Sequence, residues 1–578
     1  MEGHSPACQG VETLQKFNLR FGQVVLDRFT SVPLHRLLHF NNELGQDVQT
    51  SKRLKILTLG VATLALALPV LTSAAFAQDK TKVTTEVSKS ADDDDPVAKQ
   101  ITKATALAPV IETAKATQHS LTVHGEKIDY TATAGTLTIR DDAGKPVASA
   151  FYVAYTAKPG THRPVTFLYN GGPGSASLWL HMGSFGPVRV RTASPEATGP
   201  APYTYGPNDE SLLDKTDLVF IDAIGTGYSR TLGDAKGSDF WGVDEDADAF
   251  ARAIKRYVTL NQRWNSPKFL FGESYGTTRS ANLVNVLQNQ GMDFNGVILL
   301  STILNYGVEQ PGYDVGYIGY LPSYAATAWY HNKLPNKPAD LAAFVNEVRA
   351  FAAGPYAAAL AKGHNISDAE RDAVAQKISE YTGLSTDFII RCNLRIDLAR
   401  FQKELLRSQH ETVGRFDSRF MGLDSDDGGA EPDFDASDVG INSVFVSSLR
   451  AYLSADLGYK TDLDYRLGAY DDKDFKWDWK HNPGNGDEQQ MPDVAVDLGE
   501  AMRQNPHLKL MSVNGYYDMA TPFFITEYDI GHIPMNKATA ANITFKYYPS
   551  GHMIYLNPEA LTSLVKDLDS FYDQAAPQ

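Results

Sequence analysis

Phe269-Leu270-Phe271-Gly272-Glu273-Ser274-Tyr275-Gly276 is a short apolar run that breaks at a glycine, presents one serine and turns at a second glycine. Read as strand, turn and helix start, it has the form of a nucleophile elbow. The flanking positions must be small because strand and helix nearly touch there, and the serine is forced into a strained backbone conformation. Such a turn lifts the hydroxyl clear of the sheet. It also aims backbone N–H groups at the start of a helix toward the place where an oxyanion would develop. In a chain of 578 residues with 45 glycines the pattern can arise by chance, so its surroundings decide.

On either side lie further strand-like runs. Val165–Tyr169 ends in Asn170-Gly171-Gly172-Pro173-Gly174, and Asp217–Asp222 ends in Ala223-Ile224-Gly225-Thr226-Gly227. Helical periodicity from Asp244 to Leu260 precedes the elbow, a second helix runs from about Thr277 to Gln290, and Gly296–Ser301 is another buried strand. Strands alternating with helices predict an α/β fold. Its central sheet is mainly parallel, helices cover both faces, and ligands bind at the carboxyl ends of the strands. Before this region, Ser120–Val123, Ile128–Thr133, Thr136–Arg140 and Ala148–Tyr155 read as an antiparallel meander broken at Gly125, Gly135 and Asp142-Ala143-Gly144.

From about Ile303 to Pro506 the alternation stops. Leu341, Phe344, Val345, Val348 and Phe351 have helical spacing, Ser367 with Glu370 makes a capping box, and Ile396–Leu406 is amphipathic. An inserted, mostly helical cap is expected. The acidic patch Asp424–Asp438 lacks the ligand spacing of a calcium loop and reads as a solvated surface loop. The core resumes with Leu508–Val513, which runs into Asn514-Gly515-Tyr516-Tyr517-Asp518. Ile543–Tyr548 follows, running into Pro549-Ser550-Gly551-His552, and a helix from Pro558 to Tyr572 closes the chain.

A serine hydroxyl needs a base within hydrogen-bond reach and an acid that fixes the tautomer of that base. Asp518 and His552 both lie just past strand ends, and the order Ser274, Asp518, His552 suits this architecture. Each has an ordinary reading as well, a capped turn for Asp518 and a surface loop for His552. His532 is the rival base, although no core strand leads into it.

The formal net charge of -16 argues against a nucleic-acid partner. Residues 51–77 read as a signal peptide, with Lys52, Arg53 and Lys55, an apolar run from Ile56 to Leu71, and Ala75-Phe76-Ala77. The run is short for a membrane span, so no stable anchor is expected after cleavage, and the protein is expected to be periplasmic or secreted. Residues 1–50 are read as an extension or start-site artefact and 78–118 as a linker. The core then occupies 119–302 and 507–578, with the cap at 303–506. Only Cys8 and Cys392 are present, so the mature chain can form no internal disulfide.

At four blocks the chain resembles the serine carboxypeptidase family, α/β-hydrolases with a helical insertion over the site. These are Asn170–Gly174, Ile221-Asp222-Ala223-Ile224-Gly225-Thr226-Gly227-Tyr228-Ser229, the elbow, and the pair Gly515–Asp518 with Gly551-His552-Met553. The resemblance implies Ser274 as nucleophile, His552 as general base and then acid, and Asp518 as its orienting group. It further implies an oxyanion hole from the Gly172 and Tyr275 N–H groups, and recognition of a substrate's free α-carboxylate by Asn170 and Glu273. The substrate class is then peptide or protein carboxyl termini, with no cofactor and no metal. Two departures reduce the carboxylate-binding set: Leu168 stands for a usual tryptophan, and Ser184 for a second acidic residue. Ser175 stands for a usual cysteine. An esterase or acyltransferase on the same triad, or a non-catalytic binding protein of this fold, remain the alternatives. Oligomeric state and the residues preferred around the cut bond are left open.

Overall fold

The computed structural model describes residues 112–576 apart from 158–161, 311 and 485. The extension, the signal-like segment, most of the linker and Cys8 lie outside the described residues.

Ten strands form one sheet. They are β1 (Ala114–Val123), β2 (Glu126–Arg140), β3 (Pro146–Thr156), β4 (Val165–Tyr169), β5 (Asp217–Ile221), β6 (Arg230–Thr231), β7 (Lys268–Glu273), β8 (Gly296–Leu300), β9 (Lys509–Gly515) and β10 (Ile543–Tyr548). Their spatial order is β1-β2-β3-β5-β4-β7-β8-β9-β10, with β6 paired to β3. From β5 to β10 every neighbour is parallel; β1, β2 and β3 are antiparallel. The central strands are buried along their whole length, as a sheet covered on both faces requires. This is the α/β-hydrolase fold.

Two apolar clusters sandwich the sheet. One packs the closing helix α10 (Pro558–Ala575), Leu178–Phe185 and α7 (Asn442–Ala451) against one face. The other packs α1 (Val243–Leu260), the elbow helix α2 (Tyr275–Asn289) and α8 (Ala495–Gln504) against the opposite face. In α1 the buried residues Ala247, Phe250, Ala251, Ile254, Tyr257 and Val258 recur at three- and four-residue intervals, the stripe a helix needs to cover a sheet. Behind α2, the His481 ring is hydrogen-bonded to Asp244 at Nδ1 (2.7 Å) and to Asp497 at Nε2 (2.8 Å). Burial opposes its protonation, but the two carboxylates outweigh that and push its pKa up to about 9.

Chain order and sheet order part company at β4. The chain goes from β4 to β5 on one side and returns to β7 on the other. At such a switch point the loops leaving adjacent strands diverge and open a crevice. Here those loops are Asn170–Gly174 and the elbow.

The residues anticipated as one cap do three different things. A helical cluster of its own is built from α3 (Val315–Tyr330), α4 (Leu341–Phe351), α5 (Asp368–Thr382), α6 (Leu398–Leu405) and neighbouring segments. Residues 441–457 join the cluster that includes α10, and α8 packs beside α2 in the other. Three local expectations change. Gly135 does not end a strand, because β2 runs straight through it and its bare Cα lies against the Thr113 carbonyl, where a side chain would collide. Strand β1 begins at Ala114, inside the stretch expected as linker. The acidic patch is only partly solvated, since Asp424 is buried in an ion pair with the equally buried Lys403.

Candidate active site

Strand β7 ends at Glu273, and Ser274 follows with φ +61° and ψ −130° at the N-cap of α2. A non-glycine residue in this region carries roughly 1–3 kcal/mol of strain, which the surroundings must offset. Here they do so by close packing. A methyl group on Gly272 would run into the Gly276 carbonyl, and one on Gly276 into the Tyr169 carbonyl. The Ser274 N–H is anchored on the Leu300 carbonyl at the end of β8 (3.0 Å).

Asp518 and His552 lie beyond the ends of β9 and β10, on the same side of the sheet as the elbow. Asp518 Oδ1 accepts from the N–H groups of Ala520 (2.8 Å) and Thr521 (3.0 Å). Its Oδ2 is bonded to the Thr521 hydroxyl (2.6 Å) and to His552 Nδ1 (2.8 Å). The pair is buried. Burial works against the imidazolium, but the charge and hydrogen bond of Asp518, helped by Glu273, outweigh it and raise the His552 pKa. The His552 carbonyl accepts from Ser301 Oγ (2.6 Å), next in the chain to the Leu300 that holds Ser274. His552 and Ser274 are thus fastened to adjacent residues of β8 and its exit. Among the described residues the Ser274 hydroxyl itself has no hydrogen-bond partner, so the serine–histidine bond is not formed in this structure; such bonds are often long before substrate binds. His532 is elsewhere, exposed at the end of α9 (Phe523–Gly531) with Nδ1 on the Tyr528 carbonyl.

The loop after β4 lies against the elbow. A methyl group on Gly171 would sit inside van der Waals contact of the Tyr275 nitrogen, so the two backbones touch. Among the described residues neither the Gly172 nor the Tyr275 N–H has a partner, and both remain free to donate. The loop is buttressed from the Ile221–Ser229 block. Asp222 Oδ1 accepts from the Ser177 N–H (2.8 Å), and Ser177 Oγ bonds the Ile221 carbonyl (2.5 Å) and receives the Asn170 N–H (3.3 Å). The glycine at 227 is required because its Cα lies on the Asp222 carboxylate. Arg279 of α2 donates to the Asn170 carbonyl (2.8 Å) while paired with buried Asp246 (2.6 Å).

Asn170 and Glu273 are both buried at this junction. The side chain of Asn170 is partly committed, because Oδ1 accepts from the Leu180 N–H (2.9 Å). Glu273 Oε1 accepts from the Tyr555 hydroxyl (3.2 Å), while Oε2 is enclosed and has no partner among the described residues. Desolvation lifts the Glu273 pKa to about 7, with the His552 charge and hydrogen bonding from Tyr555 and Asn170 pulling the other way. The carboxyl group beside Ser274 therefore keeps its proton at mildly acidic pH. Sequence reading did not single out Thr521 or Tyr555. Each stands three positions after a triad candidate, and that spacing is the one signal that could have found them. The trio among the described residues with donor atoms close enough for a metal is His124, Asp214 and Asp569, and it shares no residue with this site.

Residues 124–335 match the model of the serine carboxypeptidase family. That match takes in the Asn170–Gly174 loop, the Ile221–Ser229 block and the elbow, and ends before Asp518 and His552. Solved structures to which the chain is similar include a proline iminopeptidase from Mycobacterium smegmatis, at 14% identity over 76% of this chain and 98% of that one, TM-score 0.31. Another is a soluble variant of monoglyceride lipase from Saccharomyces cerevisiae, at 12% identity over 76% and 95%, TM-score 0.32. A third is a thermostable carboxyl esterase from Bacillus coagulans, at 11% identity over 76% and 98%, TM-score 0.30. The family match supports a serine hydrolase.

Proposed function

We propose that the protein is a serine carboxypeptidase that removes residues from peptide carboxyl termini through an acyl-enzyme formed on Ser274. In this reading His552 Nε2 takes the serine proton as Oγ attacks the scissile carbonyl, and Asp518 holds the ring so that Nδ1 keeps its hydrogen. The Gly172 and Tyr275 N–H groups receive the oxyanion. The imidazolium then protonates the leaving amine, and a water molecule, deprotonated by the same histidine, releases the acyl group.

One observation favours a carboxypeptidase over other serine hydrolases: a buried, proton-retaining Glu273 adjoins the nucleophile and Asn170. Two carboxylates cannot approach while both are charged, so a protonated Glu273 is suited to receive a substrate's terminal carboxylate and to share one proton with it. Binding should therefore weaken above neutral pH. An esterase or acyltransferase on the same triad is favoured by a different observation, the closure of Glu273 Oε2 to solvent. The deciding experiment compares a blocked dipeptide with its carboxyl amide. Strong preference for the free acid, with a KM that rises between pH 6 and 8 and with loss of turnover in Ser274→Ala, supports the carboxypeptidase. Equal rates on acid and amide, or faster cleavage of simple esters alone, reject it. The leader-like residues 51–77 lead us to place this activity outside the cytoplasm; amino-terminal sequencing of the mature chain should then begin near Gln78.

A further inference from the structure

Strands β9 and β10 stop at Gly515 and Tyr548, short of Asp518 and His552. The loops that carry the acid and the base need support from outside the sheet, and a seven-residue tip supplies it. Thr412–Val413 pairs with Met421–Gly422 as a short hairpin, and its tip, Gly414–Phe420, reaches both loops. The Met519 N–H donates to the Arg415 carbonyl (3.1 Å), the Ser418 N–H to the Tyr517 carbonyl (3.0 Å), and the His552 N–H to the Phe416 carbonyl (2.6 Å). Asp518 is thus held on both sides, and His552 is held directly. The Phe416 ring lies 5.2 Å from the His552 ring, centroid to centroid.

The tip is itself locked. Arg419 forks onto Asp417, Nε to Oδ1 at 2.9 Å and Nη2 to Oδ2 at 2.5 Å, with the two side chains only 6% and 7% exposed. The same guanidinium reaches Ser550 Oγ (3.4 Å) and the Pro549 carbonyl (3.5 Å), just ahead of His552. Gly551 lies so close to Asp417 that no side chain fits between them. On its other side the tip is tied to the helical cluster. Ser418 Oγ bonds Thr327 Oγ1 (2.6 Å), and the Ser418 carbonyl contacts His331 Nε2 (2.7 Å).

We propose that Gly414–Phe420 is a positioning element for the Asp518–His552 pair, with Arg419 and Phe416 as its working side chains. The alignment of acid and base is then set partly by the helical cluster as well as by the sheet. This rests on the hydrolase reading above. A displacement of the imidazole approaching 1 Å costs up to about 100-fold in rate, so loosening the tip should be felt in turnover before it is felt in substrate binding.

The test uses the full chain with Asp417→Asn/Arg419→Gln, which leaves no unpaired buried charge, together with Arg419→Lys and Phe416→Leu. We expect the double variant to fold, to lose about 10- to 100-fold in kcat with KM within about twofold, and to lose the low-field proton resonance of the His552 Nδ1–H held by Asp518. Arg419→Lys should restore part of both, and Phe416→Leu should lower kcat without abolishing the resonance. Folded variants with wild-type kcat and an unchanged resonance would overturn the proposal, as would a kcat loss no larger than the unfolded fraction. If the wild type neither turns over peptide nor reacts with a fluorophosphonate at Ser274, the hydrolase reading fails instead. The resonance then decides the positioning claim alone.

Discussion

Replacing Asp518 with Asn is the sharpest perturbation of the site because it keeps shape and changes one proton. Asp518 Oδ1 receives two backbone N–H groups, from Ala520 and Thr521, so the amide oxygen of an Asn must take that place. Its NH2 then faces the Thr521 hydroxyl and His552 Nδ1, where the carboxylate now accepts at 2.6 and 2.8 Å. A donor opposite Nδ1 forces the imidazole to accept there and to carry its hydrogen on Nε2. That tautomer cannot take the serine proton. The expected loss is about 10⁴-fold in kcat, or roughly 5 kcal/mol of transition-state stabilisation at 1.36 kcal/mol per decade. KM should stay near wild type. Since the Asp518 charge raises the His552 pKa, its removal should also move the acidic limb of the rate profile to lower pH. Initial rates on a chromogenic ester and a blocked dipeptide across pH 5–9, with thermal melts to establish folding, measure all three. A folded Asp518→Asn variant within tenfold of wild-type kcat would refute the roles given to Asp518 and His552.

Glu273 keeps a proton in the folded state that the unfolded chain releases near pH 4.5. Its ionisation therefore costs stability as pH rises from about 4.5 through 7, on the order of 3 kcal/mol in full. Glu273→Gln should be more stable than wild type at pH 8 and similar at pH 4.5 in urea titrations; parallel curves at both pH values would remove the assignment. His481 works in the same sense at higher pH. Its raised pKa favours the fold fully below about 6.5, and the benefit is lost as pH climbs through about 9. Melting temperatures of His481→Gln should accordingly decline less steeply than wild type between pH 7 and 9.5. Arg279→Met leaves Asp246 as an unpaired buried charge and frees the Asn170 carbonyl, so unfolding free energy should drop by about 3–5 kcal/mol; a drop under 1 kcal/mol would contradict the burial seen here. Gly171→Ala should push the loop off the elbow amide, lowering the melting temperature through the backbone collision and, in the protein that remains folded, lowering kcat by about 100-fold, as expected for a lost oxyanion donor.

Much of the core was legible because its signals are local. Apolar runs bounded by glycine-rich turns marked β4, β5, β7, β8, β9 and β10, and the periodicity of α1 and the capping serine of α5, Ser367, could be read directly. Ser274, Asp518 and His552 could be named because each follows such a strand. What escaped depended on distant partners. Gly135 reads as a breaker, yet its role is to let Thr113 approach an unbroken strand. Asp424 reads as solvated because nothing nearby in the chain announces Lys403. The helical region could not be divided by sequence because α7 and α8 are amphipathic in the same way as helices of the separate cluster, and only tertiary packing decides which face each covers. Tyr555 and the Gly414–Phe420 tip were invisible for the same reason.

The layout of the sheet also bears on how the chain comes to be made. Strand β8 ends at Leu300, and the partner that covers its outer edge, β9, begins only at Lys509. At 5–20 residues per second the ribosome leaves that edge bare for about 10–40 s. An uncovered, wholly apolar strand is a template for pairing between chains. Truncations that stop before Lys509 leave that edge uncovered for good and are therefore expected in the insoluble fraction.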